Sequence, residues 1–113
     1  MEKIVEQGML YDFYGELLTE HQRQVYEDVV LNDFSLSEVA AARGISRQGV
    51  HDLIKRCDRI LAGYEEKLRM VEKFNQTKRM VEEIKTLAGT YKKNGDMSLI
   101  DRIEAISEEI GQL

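Results

Sequence analysis

The sequence predicts an all-α protein, and three observations carry that prediction. None of the 113 residues is proline and only eight are glycine, while Glu, Lys, Leu, Ile and Val are plentiful, a composition that favours helices. Apolar residues recur along most of the chain at the three-and-four spacing of a single helical face. Ser, Thr or Asp stand ahead of several of these runs at helix-cap spacing.

From Glu2 to about Leu18, Leu10, Phe13, Tyr14 and Leu17 mark the inner face of a first helix. Thr19 and Gln22 form a potential capping box for a second helix, whose inner face is Val25, Tyr26, Val29 and Val30 and which ends near Asn32-Asp33. Ser35 with Glu38 offers another such box, and Gly44 closes the helix that it opens. Ser46 caps the next one. From Val50 the apolar stripe runs through Ile54, Cys57, Leu61, Leu68 and Val71 to Phe74 with no turn cluster, which predicts a helix from Arg47 to Phe74, roughly 42 Å long. Gly63 is its weak point and a candidate kink. Met80, Val81, Ile84, Leu87, Ala88 and Tyr91 indicate a further helix ended by Lys92-Lys93-Asn94-Gly95, and Asp96 caps a last one carrying Leu99, Ile100, Ile103, Ile106 and Ile110.

The stretch from Leu36 to Lys55 has the pattern of a helix-turn-helix. Ala40 is small where the two helices cross, Gly44 can take the positive φ of the tight turn, and Val39, Ile45, Val50 and Leu53 are expected to close the core between them. An ordinary helical hairpin with the same spacing is the plainer alternative. In a helix-turn-helix, the first turn and outer face of the second helix enter the major groove. Here those positions hold Ser46, Arg47, Gln48, His51, Asp52 and Lys55, followed by Arg56. Arg47 can fork onto a guanine edge and Gln48 onto an adenine edge, while Lys55 and Arg56 can neutralise phosphate. Asp52 is expected to pair with Arg56 at i,i+4. The candidate nucleic-acid-binding set is therefore Ser46, Arg47, Gln48, His51, Lys55 and Arg56.

The net charge of −5 conceals an uneven distribution. Residues 1 to 34 carry net −6, residues 35 to 80 net +4 and residues 81 to 113 net −3. Basic charge thus gathers in the motif and the helix after it, as a phosphate-facing surface requires, although a solvated helix surface has the same pattern. The single Cys57 forms no intramolecular disulfide, and no His/Cys cluster has metal-ligand spacing. The N-terminus lacks a signal-peptide pattern and no apolar run is long enough to span a membrane, which together read as a cytoplasmic protein. His21 and His51 read as surface residues and Cys57 as a small buried hydrophobe. With no Gly-rich phosphate loop, nucleophile elbow or HExxH, the sequence implies neither catalysis, cofactor nor metal.

Val50, Cys57, Tyr64 and Val71 recur every seven residues. Either the last two helices fold back over this seam, or Tyr64, Leu68, Val71 and Phe74 seek a second subunit. The expectation is a homodimer, because helix-turn-helix proteins commonly read paired half-sites. The chain reads as one all-helical domain, with a helix-turn-helix core at about 19–60 and a helical extension at about 61–113.

Leu18-Thr19-Glu20-His21-Gln22-Arg23-Gln24-Val25, followed by the helix-turn-helix, resembles region 4 of bacterial sigma factors, the part that reads the promoter −35 element. Together with the run from Ile45 to Arg56 and the continuation Tyr64-Glu65-Glu66-Lys67-Leu68, it resembles the YlxM family, also called UPF0122, from Tyr11 to about Leu87. The resemblance implies a small bacterial cytoplasmic protein with a regulatory part in the signal recognition particle pathway. DNA is the favoured partner and RNA the alternative. Rival readings are an adaptor that binds the particle's RNA or GTPase directly, and a structural oligomerisation module.

Overall fold

The computed structural model describes residues 2–113, and the described residues form helices and no strand. Helix α1 spans Lys3–Tyr14 and tightens into a 3-10 turn at Gly15–Leu17. Helix α2 spans Glu20–Tyr26, α3 Leu36–Arg43, α4 Arg47–Leu68, α5 Met70–Asn94 and α6 Met97–Gly111. The chain divides into two compact units, one ending at Val71 and the other Glu72–Leu113.

Local chemistry sets most helix starts. Thr19 and Ser35 each form a capping box, with Gln22 and Glu38 respectively. Ser46 Oγ accepts from Gly49 N at 2.9 Å and Asp96 Oδ1 from Ser98 N at 2.9 Å. These bonds satisfy N–H groups that have no partner in a helix's first turn. Gly44 and Gly95 end α3 and α5 at φ 68° and 67°, in the left-handed region where a side chain would be strained. The second helix departs from a regular pattern after Tyr26. Glu27–Leu31 is a π turn, closed by Asn32 N donating to Glu27 O at 2.9 Å.

The core of the first unit is built on α4. Val50, Cys57 and Leu61 are fully buried on its inner face, against Leu10 and Tyr14 of α1, Val25 and Tyr26 of α2, and Val39 of α3. The seven-residue seam is therefore covered by α1, α2 and α3, with Val71 inside this core and Tyr64 packed half-buried against it. This leaves Tyr64 and Val71 committed within the chain and corrects the expectation that they seek a partner. Ile45 is also corrected: it remains 36% exposed, and Val39, Ala40 and Val50 do the packing between α3 and α4. An apolar residue just past the C′ glycine covers the helix end and need not enter the core.

Two polar networks fix α4. Asp58 accepts from the Tyr26 hydroxyl at 2.7 Å and from Gln7 Nε2 at 3.0 Å, so one carboxylate joins α1, α2 and α4. At the other end, the Tyr14 hydroxyl donates to Glu65 Oε1 at 2.6 Å and accepts from Met70 N at 3.1 Å. Val71 N also donates to Glu65 Oε1, at 3.0 Å.

Here α4 stops. Arg69 takes φ 52° and α5 begins, so α4 is 22 residues, roughly 33 Å, rather than continuing to Phe74. Gly63 lies within continuous helix, and the break falls at a residue with no glycine signal. Burial, reinforced by the Asp58 charge, pushes the Cys57 thiol up to about 11, as expected of a buried hydrophobe.

Candidate nucleic-acid interface

The α3-turn-α4 element is clamped from below by Arg43. Its guanidinium donates to Gln24 Oε1 of α2 at 2.7 Å and to Asp28 Oδ2 of the π turn at 3.1 Å. The Gly44 N–H and Ile45 N, the latter at 3.2 Å, both return to Ala40 O, so the chain turns sharply enough for Ser46 to cap α4 at once. Ala40, almost fully buried, keeps the helices close where they cross.

Ser46, Arg47, Gln48, His51, Lys55 and Arg56 are all exposed; Gln48 and Lys55 fall opposite Val50, Cys57 and Leu61, His51 and Arg56 flank that line on either side, and Ser46 and Arg47 stand at the start of the helix nearer the buried face. They do not form a single cluster. Arg47, Gln48 and His51 line a shallow groove with Leu36 at the start of α3. Lys55 lies in a second groove between α1 and α4, with Arg59 and Lys3. Arg56 lines a third, with Thr19 and Gln22 at the start of α2. Ser46 is occupied as the cap of α4, its hydroxyl accepting from Gly49 N.

Asp52 is partnered differently from expectation. Its Oδ1 accepts from Gln48 Nε2 at 2.9 Å and lies 3.6 Å from His51 Nδ1. The carboxylate thus neighbours two of the candidate base-contacting side chains and takes up the amide of Gln48. Arg56 lines the groove at the start of α2 together with Asp52.

Lys3 carries no signal in the sequence pattern, because 52 positions separate it from Lys55 and only the fold brings the two to one groove. Arg59 stood outside the candidate set, although its i+4 spacing from Lys55 and i+11 from Gln48 places all three on one stripe. Among the described residues no group of three or more His, Cys, Asp or Glu is placed to hold a metal ion, and no helix is long and apolar enough to cross a membrane.

A glycine-turned helix pair with an exposed, polar and basic second helix defines a helix-turn-helix protein. The family model described as "Putative helix-turn-helix protein, YlxM / p13 like" matches residues 1–102. The chain belongs to this family, UPF0122. The chain is 39% identical to UPF0122 protein YlxM of Bacillus subtilis over 107 residues, 94% of this chain and 97% of the relative. It is 40% identical to a UPF0122 protein of Acetivibrio thermocellus over 114 residues, 97% of each. A UPF0122 protein of Caldanaerobacter subterraneus is 49% identical over 77 residues, 68% of this chain and 66% of the relative.

Proposed function

We propose that this protein is a noncatalytic, cytoplasmic, homodimeric regulator that binds duplex DNA through α4. The observation that supports this reading is the division of α4 itself. One face closes the core, and the rest of the surface leaves Arg47, Gln48, His51, Lys55 and Arg56 in solvent, starting at a capped helix N-terminus that favours phosphate. Arg47, Gln48 and His51 contact base edges, and Lys55 and Arg56 contact phosphates.

We also propose that the regulation concerns the signal recognition particle pathway, a reading supported by the family resemblance alone. The test of the DNA reading against an adaptor of the particle is fluorescence-anisotropy titration of the protein against random-sequence duplex DNA, the particle's RNA and its GTPase, at two salt concentrations. Salt-sensitive DNA binding that survives RNA competitor supports the DNA reader. Binding to the particle RNA or GTPase alone overturns it in favour of an adaptor. An A-form major groove is too narrow for α4, so such an adaptor would act through loops, shape or backbone.

A further inference from the structure

The second unit, Glu72–Leu113, is poorly self-sufficient. Ile106 is its one fully buried side chain among the described residues, while Met80, Ile84 and Leu87 of α5 and Leu99, Ile103 and Ile110 of α6 stay only partly covered. Two helices of this size do not close a core of their own; four do.

The charges of the two helices differ in sign. Helix α5 carries six basic and three acidic side chains, and α6 one basic and four acidic. The ion pair that ties them, Glu83 to Arg102 at 3.2 Å, uses the minority charge of each. The majority charges lie elsewhere, in two stripes at helical spacing. On α5, Val81 is 49% exposed with Lys78 three residues before it, Lys85 four after and Lys92 eleven after. On α6, Met97 is 62% exposed with Asp101, Glu104 and Glu108 at four, seven and eleven residues beyond. Between Lys78 and Lys92 the α5 stripe has one large exposed apolar residue, with Phe74 seven residues before Val81 on the same line, and between Met97 and Glu108 the α6 stripe has one; each carries three like charges, and the two are opposite in sign.

We propose that the α5–α6 hairpin is the homodimer interface, with the basic stripe of α5 in one chain lying along the acidic stripe of α6 in a second copy. The inference rests on the homodimeric reading above and specifies its surface. A two-fold axis makes the contact twice, α5 on α6 and α6 on α5, because a surface carrying both signs is complementary to itself. Two hairpins joined this way bring four helices together and cover the exposed Val81 and Met97 side chains.

The test is light scattering after size exclusion on the whole chain. Wild type is expected at twice 13.1 kDa. Lys78→Glu/Lys85→Glu/Lys92→Glu makes α5 as acidic as α6, and Asp101→Lys/Glu104→Lys/Glu108→Lys makes α6 as basic as α5. Each triple variant is expected to run as a monomer with unchanged helical circular dichroism, and their equimolar mixture as a 1:1 dimer, since both contacts are then opposite in sign. Val81→Asp, at a position already half in solvent, is expected to weaken self-association by roughly tenfold or more with the fold intact. A monomeric wild type would overturn both the homodimer and its surface. A dimeric wild type whose triple variants also remain dimers would overturn the surface alone, and monomeric variants that fail to pair on mixing would overturn the α5-on-α6 arrangement.

Discussion

Tyr14 and Glu65 lie 51 positions apart and meet at 2.6 Å, phenol donating to carboxylate. The same carboxylate oxygen accepts from Val71 N, and the same hydroxyl accepts from Met70 N, so the two side chains together supply what α5's first turn lacks. Tyr14 is 1% exposed and stacks on Tyr64 with ring centroids 6.0 Å apart. Tyr14→Phe keeps the ring and removes both hydroxyl bonds, and is expected to cost about 1–2 kcal/mol in urea unfolding. Glu65→Gln, whose amide oxygen still accepts, should cost less.

The two glycine substitutions Gly44→Ala and Gly63→Ala should have opposite signs. An added Cβ meets nothing within 4 Å at either site. At Gly44, φ is 68°, so alanine is strained and should cost about 1 kcal/mol. Gly63 is inside α4, where alanine should stabilise by about 0.5–1 kcal/mol. Thermal melts of the two variants check the pair.

Stability should fall on the alkaline side. The Cys57 thiol is pushed from 9.0 up to about 11 by burial and then by Asp58, and burial with hydrogen bonds to carboxylates raises the Tyr11, Tyr14 and Tyr26 hydroxyls. A pKa raised on folding means that the native state holds the proton more tightly. The Cys57 contribution is complete below about pH 9 and disappears as pH rises through about 11, with the tyrosines adding to the loss from about pH 10 upward. Denaturant midpoints from pH 8 to 11 should decline over this window. Cys57→Val should remove the thiol's share of the slope.

Nucleic-acid binding should respond differently along α4. Arg47→Ala is expected to weaken a preferred sequence selectively, at about 1–3 kcal/mol for a lost bidentate base contact. Lys55→Ala and Arg59→Ala should weaken all sequences alike and flatten the salt dependence by about one unit each. Asp52→Asn removes a negative charge beside Gln48 and His51 and should tighten binding. Competition titrations against scrambled duplexes discriminate these outcomes, and equal losses at every sequence for Arg47→Ala would sink its base-reading role.

Helix starts were legible in the sequence because their causes are local. Thr19 with Gln22, Ser35 with Glu38, Ser46 and Asp96 each act within three residues of where they stand. The end of α4 was illegible for the opposite reason. Apolar spacing runs on through Val71 and Phe74, and the break at Arg69 is held by Tyr14, which is remote in sequence. Asp52 illustrates a subtler limit, since Gln48 and Arg56 are equally spaced from it and the pattern cannot choose between them. The candidate face of α4 was readable residue by residue, but its division into three grooves was not. That depends on where α1, α2 and α3 flank the helix.

The distant cap on α5 has a kinetic meaning. Helices α2, α3, α4 and α6 carry their own start signals and can begin while the chain is still largely open, on the sub-microsecond to microsecond timescale of helix formation. In the first turn of α5, Val71 N has Glu65 nearby, but Met70 N finds the Tyr14 hydroxyl only once α1 has docked. Completion of that turn is expected to follow the rate-limiting barrier. Loss of the Tyr14 hydroxyl should accelerate unfolding while leaving the refolding limb of a chevron almost unmoved.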